Sequence, residues 1–341
     1  MAKVPAGCKL VLRPEDDYNH TPDDVSNYNE SMYFSVFDPT QRTGGWYRLG
    51  NRVNEGYAEM SLCWYLPDGR VAFMASRPRI TTNEVMDAGG LRFEILEPLE
   101  RQRVTYEGKV ALLERPQEMA NPSKAFRENP VVEARMEIEH SSASICPGGE
   151  VVYEDGRPLP IDPEKGFAKA HFDQEMRGEG FFEVDGTRYD IAGHGARDKS
   201  WGPRYWQSIN WYRWMHFYIS PQCSFMATVM SKEEGSHGVT GLFFANGRSY
   251  DFSSGEIESQ WDEHGYVESL DFRTRVNDTD YEIHGDVLSL IPLRNRREQP
   301  DGSMLVTRIT EGMTEYTCNG EKAIGMAEYL DQIIDGKPTG I

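Results

Sequence analysis

The sequence lacks the features that mark several common classes of protein. Its 341 residues include only five cysteines, which are far apart and show no Cys-x-x-Cys spacing. We therefore expect neither a structural zinc site nor a disulfide framework. Basic residues are also few, 36 against 55 acidic ones, and the formal net charge is −19. Such a charge repels phosphates, so we expect no nucleic-acid partner.

Long hydrophobic runs are missing as well. No apolar stretch of the sequence approaches the roughly 20 residues that a membrane-spanning helix needs. Residues 1–8 contain no apolar segment of the kind found in secretory signals. These absences predict a cytoplasmic protein without a membrane span, and they leave a homodimer open.

The well-known cofactor motifs are absent too. The chain has no Gly-x-Gly-x-x-Gly after a strand, no Gly-x-x-x-x-Gly-Lys-Ser/Thr, no Gly-x-Ser-x-Gly and no His-Glu-x-x-His. Those motifs serve dinucleotides, phosphates, a nucleophilic serine and catalytic zinc, respectively. His171-x-Asp173 is too small to be a metal site without two further ligands. The sequence therefore predicts chemistry without a metal or other cofactor.

What the chain does contain is a long series of segments that favour β-strands. Residues 57–66 are rich in apolar and aromatic side chains, and residues 271–276 alternate between apolar and polar ones. Asp185-Gly186 and similar pairs between such segments indicate hairpin turns. Helical periodicity is scarce, and residues 116–129 are the best candidate for a helical excursion. We predict an all-β fold whose strands form barrels or sandwiches.

The length suits one large or two medium domains. We predict a loosely held N-terminal arm over residues 1–29, a first unit over residues 30–193 and a second unit over residues 194–335. The boundary is placed at a glycine-rich motif that begins at Gly193.

That motif is the most informative part of the chain. Residues 193–204 crowd a carboxylate, two guanidiniums, a histidine and an indole between glycines. Shortly afterwards, residues 210–216 combine aromatic and basic side chains. Charge beside large apolar surface suits a site that acts on a hydrophobic molecule with an acid or a base.

Two residues are the main candidates for acid–base chemistry. Asp198 can act as an acid if burial raises its pKa, whereas Arg197 and Arg204 would hold it ionised in a structural ion pair. His171 shares one strand face with Asp173 by alternation. A histidine beside a carboxylate is a frequent general base, and a surface or hydrogen-bonded core histidine is the alternative. We select Asp198, His171 and Arg197 as catalytic candidates.

Aromatic residues are candidates for substrate binding. The indoles after Asp198 can form an aromatic wall, although such stripes in small barrels also serve plain packing. A polar cluster over residues 47–55 and an inward carboxylate on the strand at residues 57–66 are further candidates. The predicted substrate-binding residues are Trp201, Arg204, Trp211, Trp214, His216, Tyr47 and Glu59.

The central motif resembles the AttH-like and carotenoid-hydratase-like superfamily. The resemblance rests on Gly195-x-Arg197-Asp198-x-Ser200-Trp201-Gly202-x-Arg204 followed by Trp211 and Trp214. Segments near residues 45–52 and 312–329 are similar too, so it spans about residues 30–330. It implies two lipocalin-like antiparallel β-barrels packed together, a pocket near their junction and cofactor-free chemistry on apolar molecules.

The resemblance also implies a role for Asp198. In carotenoid hydratases an aspartic acid protonates an alkene, and Asp198 occupies the matching position. This chain departs from the pattern just before it, since Ala196 and Arg197 stand where the hydratase has aromatic residues.

These observations lead to two main hypotheses. The first is a cofactor-independent lyase, hydratase or isomerase that acts on a hydrophobic aromatic or terpenoid-like small molecule. Asp198 and His171 would exchange protons, and Arg197 or Arg204 would hold an oxygen substituent. The second is a non-catalytic lipocalin-like carrier of an apolar metabolite. A scaffold protein is the least favoured reading.

Overall fold

The structure is a computed structural model that describes residues 4–163, 165–220, 223–232 and 235–341. Its contacts divide the chain into two units. The first unit ends at Tyr205, and the second runs from Trp206 to Ile341 and also includes Arg115–Arg127. Regular structure in both units is almost entirely β, which confirms the predicted fold class.

The described residues of the first unit form twelve strands. They are β1 (Cys8–Val11), β2 (Tyr28–Asp38), β3 (Thr43–Arg52), β4 (Tyr57–Tyr65), β5 (Val71–Ser76), β6 (Met86–Ala88), β7 (Leu91–Glu97), β8 (Arg101–Leu113), β9 (Val131–Ser142), β10 (Gly148–Tyr153), β11 (Ala170–Val184) and β12 (Thr187–Pro203).

In the second unit the part of the chain that the structure describes forms ten strands. They are β13 (Trp211–Ser220), β14 (Cys223–Ser231), β15 (Gly238–Ala245), β16 (Arg248–Phe252), β17 (Glu256–Trp261), β18 (Val267–Val276), β19 (Thr279–Glu298), β20 (Met304–Cys318), β21 (Glu321–Ile334) and β22 (Lys337–Pro338).

Within the described ranges, helical structure is confined to short segments. The helix α1 (Pro122–Glu128) follows a 3-10 turn at Pro116–Ala120, as the sequence predicts for this region, and other 3-10 turns lie at Pro14–Asp17, Val53–Glu55 and Trp206–Ser208. Among the described residues no helix has the length and apolar character needed to cross a bilayer.

Eight strands of the first unit close into a ring. Going round it, the antiparallel neighbours are β11, β12, β2, β3, β4, β5, β8 and β9, and β9 pairs again with β11. Closure leaves these strands without a free edge. The pairs β10–β1 and β7–β6 extend the sheet from β11 and β8. Alternate side chains such as Met32, Phe34 and Val36 fill the interior.

The second unit is one continuous antiparallel sheet. Its order is β16-β15-β14-β13-β21-β20-β19-β18-β17, and β22 is added to β21. Aromatic side chains dominate the core of this unit, where Phe217 stacks on Tyr316 with 4.3 Å between ring centroids. Asn246-Gly247 and Asn319-Gly320 turn its hairpins with positive φ at both residues, as their sequence predicts.

The predicted boundary between residues 193 and 194 is not where the units divide. Strand β12 runs through this position and pairs with β11 along its length. The glycines serve close strand packing, since a Cβ on Gly193 would lie 2.1 Å from the Phe37 carbonyl oxygen. One on Gly195 would lie 2.2 Å from that of Ser35.

The N-terminal residues do not form the predicted loose arm. Strand β1 pairs with β10, and the Asp17 side chain is fully buried. Its carboxylate accepts hydrogen bonds from Arg197 Nη1 at 2.7 Å and from the Leu99 backbone amide at 2.6 Å. The segment is held because these buried donors need an acceptor.

The close packing at Gly193 predicts a strong effect of a single methyl group. We expect Gly193→Ala to lower the free energy of unfolding by about 1–3 kcal/mol, because backbone atoms must move to admit the Cβ. Thermal unfolding measures the change. Gly238→Ala is the matched control, because a Cβ on this strand glycine meets no atom within 4 Å. Equal Tm values for the two variants would contradict the packing argument.

Candidate functional site

The β11–β12 hairpin brings three titratable side chains to one face. Its antiparallel register pairs Asp173 with Asp198 and His171 with Ser200. Residues two apart on a strand share a face, and directly paired residues do as well. We call the group of His171, Asp173 and Asp198 the His–Asp cluster.

The imidazole of His171 contacts both carboxylates of the cluster. Its Nε2 lies 2.7 Å from Asp198 Oδ2 and 3.3 Å from Asp173 Oδ1. The side chains of His171, Asp173 and Asp198 are 43%, 21% and 28% exposed. All three are therefore within reach of a small molecule from solvent, and the two catalytic candidates Asp198 and His171 are in direct contact.

The carboxylates favour the protonated imidazole. Burial alone lowers the pKa of His171, but the charges and hydrogen bonds of Asp173 and Asp198 outweigh it and raise that pKa well above its ordinary value. For Asp198, burial raises the pKa, and the opposing effect of His171 brings it below its ordinary value. The cluster therefore holds an imidazolium beside an ionised Asp198 at neutral pH.

Asp173 differs from Asp198 in its surroundings. Burial raises the pKa of Asp173, and the negative charge of Asp198 adds to that effect, although His171 acts in the other direction. The pKa of Asp198 is further lowered by the charges of Arg204 and Arg48. Two carboxyl groups in one cluster are thus set to different proton affinities, which is useful for proton transfer.

Arg204 lies close enough to the His–Asp cluster for its charge to lower the pKa of Asp198. Its Nη2 donates a hydrogen bond to Ser200 Oγ, which also lies 2.9 Å from Ser31 Oγ. Its guanidinium covers the ring of Phe167, with the Cζ atom 4.0 Å from the ring centroid. The result is a buried cation beside two hydroxyl groups.

Arg48, which belongs to the polar cluster predicted over residues 47–55, also lies on this face. In register, Arg48 pairs with Tyr33 and Tyr33 pairs with Asp198. The guanidinium lies over Gly50, since a Cβ at Gly50 would be 2.8 Å from Nη2. Alternation along β3 places Tyr47 and Arg48 on opposite faces, so of these two residues only Arg48 shares the face of the His–Asp cluster.

Glu59 is not the predicted inward carboxylate. Its neighbours Ala58 and Met60 fill the barrel core, so Glu59 faces outward. There it forms ion pairs with Arg48 at 3.5 Å and with Arg77 at 3.6 Å. When both faces of a strand are partly covered, the alternation of apolar and polar residues does not show which face points into the core.

Arg197 also lies apart from the His–Asp cluster. It directly precedes Asp198 in the strand, so its side chain points to the opposite face of β12, into the barrel. Only 1% of its surface is exposed there. Its Nη1 donates to Asp17 Oδ1 and its Nε donates to Gln174 Oε1, at 2.7 and 2.9 Å. The sequence prediction that places Arg197 beside Asp198 is wrong for this reason.

Tyr47 and Trp201 likewise face the interior of the first unit. Tyr47 is completely buried, and its hydroxyl forms a hydrogen bond with His140 Nε2. The Trp201 ring stacks on His20, with ring centroids 4.0 Å apart. Neither side chain shares the face of the His–Asp cluster.

The other aromatic candidates belong to the second unit. Trp214 and His216 share a face of β13, with ring centroids 4.9 Å apart, and burial lowers the pKa of His216 to about 3. Trp211 instead packs under Arg213, whose Cζ lies 5.0 Å from its ring centroid. Glu328 is buried and accepts a hydrogen bond from the Tyr212 hydroxyl. It is not among the site residues predicted from the sequence.

The His–Asp cluster is also where a metal could be held. Each of its three residues offers one ligand atom, and these atoms lie within 4.8 Å of one another. The structure thus adds Asp198 to the His171-x-Asp173 pair. The positive charges of Arg204 and Arg48, which lower the pKa of Asp198, also repel a divalent cation at this position. The electrostatics therefore suit a cluster that binds and releases protons better than one that binds a divalent ion.

Comparison with models of protein families assigns the chain to a family. A model for a domain of unknown function, DUF7064, matches residues 13–333. The chain belongs to the DUF7064 family. No curated protein matches it by sequence.

Solved structures identify the fold of this DUF7064 protein. An AttH protein from Nitrosomonas europaea is 14% identical, with a TM-score of 0.61 over 97% of this chain and 98% of the other. Kievitone hydratase from Nectria haematococca is 10% identical, with a TM-score of 0.56 over 94% and 93%. CghA is 10% identical, with a TM-score of 0.51 over 94% and 95%. The predicted AttH-like, lipocalin-type fold is confirmed.

The charge state of the cluster gives a pH prediction. Since the pKa of His171 is raised above its unfolded value of 6.5, its contribution to stability is complete below pH 6.5. That contribution is lost as the pH rises through the folded-state pKa. We expect Asp198→Asn to lower this pKa by removing one carboxylate. NMR titration of the imidazole resonances measures it.

His216 serves as the internal reference in the same titration, because burial should keep it neutral down to a pH of about 3. An imidazole of His171 that titrates at or below its ordinary value would contradict the proposed charge state. So would a pKa of His171 that is unchanged in Asp198→Asn.

Proposed function

We propose that this protein is a cofactor-independent lyase, hydratase or isomerase that moves protons on a hydrophobic aromatic or terpenoid-like small molecule. The observation that carries the proposal is the contact of His171 Nε2 with Asp198 Oδ2 at 2.7 Å, next to Asp173. A proton donor and a proton acceptor in one solvent-accessible cluster are what general acid–base catalysis requires.

The charge state suggests which group does what. The imidazolium of His171 is the donor, and the ionised Asp198 is the acceptor. A carboxylate whose pKa is lowered is a poor source of a proton for an isolated alkene. We therefore favour substrates in which a carbonyl or phenol activates the reacting carbon or hydroxyl group.

The cluster can supply and accept every proton that dehydration or hydration of such a substrate requires. Asp198 accepts the proton that leaves the substrate, while His171 donates a proton to the departing hydroxyl group, so that water is released. In the reverse direction the same two groups add water across the conjugated double bond. Neither direction consumes an oxidant or a reductant.

The guanidiniums near the cluster have a second proposed role. Arg204, bonded to Ser200, and Arg48, over Gly50, are placed to hold an oxygen atom whose negative charge grows during the reaction. Such a charge arises on a phenolate or enolate oxygen. The role first assigned to Arg197 or Arg204 thus passes to Arg204 and Arg48.

Kievitone hydratase, one of the solved structures with this fold, acts as a hydratase by name, which is consistent with the proposal. At 10% identity the likeness concerns the fold. The apolar substrate and the aromatic wall of Trp211 and Trp214 stay predictions.

A non-catalytic carrier is the second candidate. It is favoured by the electrostatics of Asp198, whose pKa is lowered by His171 and by the charges of Arg204 and Arg48. Such a carboxylate also fits a structural ion-pair network. A carrier would bind its ligand and release it unchanged.

The experiment that separates the two candidates is a substrate screen. Purified protein is incubated with hydroxylated phenolic, steroid and terpenoid compounds, and mass spectrometry detects the gain or loss of water. We expect Asp198→Asn and His171→Gln to lower turnover by about 100-fold or more, since each removes a proton-transfer group.

The second unit offers a matched control for these variants. His284 on β19 also lies between two carboxylates, at 2.9 Å from Asp271 and 3.2 Å from Asp286. Asp271→Asn and His284→Gln should leave turnover unchanged. Turnover that survives Asp198→Asn would remove this residue from the mechanism, and binding without turnover across the screen would favour the carrier.

A further inference from the structure

The interior of the first unit contains a second set of polar side chains, which the proposed reaction does not use. We call it the interior polar cluster, and it consists of Asp17, Tyr47, Gln102, His140 and Arg197. Each is at most 1% exposed. Buried polar groups in native proteins almost always have hydrogen-bond partners, so each partner can be accounted for.

Contacts within the cluster bring three of its members together. Asp17 accepts a hydrogen bond from Arg197 Nη1 at 2.7 Å and another from Gln102 Nε2 at 2.9 Å. Gln102 and His140 are directly paired across β8 and β9, so their side chains share a face. Arg197 also lies close enough to His140 for its charge to lower the pKa of that histidine.

Three atoms of this cluster have no hydrogen-bond partner among the described residues. They are Arg197 Nη2, His140 Nδ1 and Gln102 Oε1. The first is an obligatory donor and the third an obligatory acceptor. A buried polar atom that stays unpartnered is unfavourable, so a small polar molecule is expected beside them.

The proton of His140 completes the pattern. Burial and the charge of Arg197 lower the pKa of His140 to about 3, so the imidazole is neutral and carries one proton. Burial raises the pKa of Tyr47 well above its ordinary value, so its hydroxyl keeps its proton, and it forms a hydrogen bond with His140 Nε2. In the tautomer with its proton on Nδ1, the imidazole accepts that bond at Nε2 and has a donor at Nδ1.

We propose that a single buried water molecule binds in the interior polar cluster and joins Arg197, His140 and Gln102. Its oxygen accepts hydrogen bonds from Arg197 Nη2 and His140 Nδ1, and one of its hydrogens is donated to Gln102 Oε1. Three hydrogen bonds are the usual number for a buried water molecule.

Charge balance favours water over an ion at this site. The carboxylate of Asp17 already offsets the guanidinium of Arg197 through their 2.7 Å contact. His140 is neutral, and Gln102 carries no charge. An added anion or cation would therefore be buried without a partner of opposite charge, which is strongly unfavourable.

A crystal structure of the full chain, at a resolution that shows ordered water, tests the proposal. We expect one spherical density peak at about 2.7–3.2 Å from each of Arg197 Nη2, His140 Nδ1 and Gln102 Oε1. An empty space between these atoms would overturn the proposal. Elongated density from an organic molecule would also overturn it and would point to an internal ligand site.

A variant provides an independent measurement. Gln102→Leu removes the only acceptor among the three atoms and should remove the water peak. It also removes the Nε2 donor to Asp17, so a Tm lower by roughly 3–10 °C is expected with or without the water. Gln117→Leu, at an exposed position, is the control for the substitution itself. A water peak that persists in Gln102→Leu would contradict the proposed bridge. If Gln102→Leu does not fold, the wild-type density alone decides.

Discussion

The register of the β11–β12 hairpin is the constraint on which the rest of this structure depends. It places Asp173 opposite Asp198 and thereby sets His171 within 2.7 Å of a carboxylate. The same register turns Arg197 to the opposite face. A slip by one residue would exchange the two faces and bury the titratable cluster while exposing the interior ion pair.

The two faces of β12 use charge in different ways. On the inner face, Arg197 and Lys199 are almost fully buried and pair with Asp17 and Glu30. Removing one partner from such a pair leaves an uncompensated buried charge, so these pairs hold the N-terminal residues firmly in place. On the outer face, the charges are partly exposed and protons can exchange with solvent. One strand thus carries buried ion pairs on its inner face and solvent-accessible titratable groups on its outer face.

Much of this arrangement can be read from the sequence, and the exceptions have identifiable causes. Alternation and Asp-Gly turns predict the strands, and period 2 predicts that His171 and Asp173 share a face. Alternation along β12 would also have separated Arg197 from Asp198, but adjacency in the motif suggested a common site.

The division of the chain and the role of Asp17 could not be predicted locally. Gly193 resembles a linker residue in sequence but is required by a carbonyl of another strand. Asp17 lies among polar residues typical of a loose terminus, and its partner Arg197 is 180 residues away. Contacts over such distances leave no periodic signal in the neighbouring sequence.

The closure of the ring has a consequence for how the chain folds. Strand β2 pairs with β3 within a hairpin, but its other neighbour is β12, where Tyr33 faces Asp198. An early strand must therefore wait for a late one, and long-range pairings of this kind slow folding because a large loop has to be closed first. During synthesis the edge of β2 stays open until β12 has left the ribosome, which makes this edge the point where a nascent chain is most exposed to wrong strand pairing.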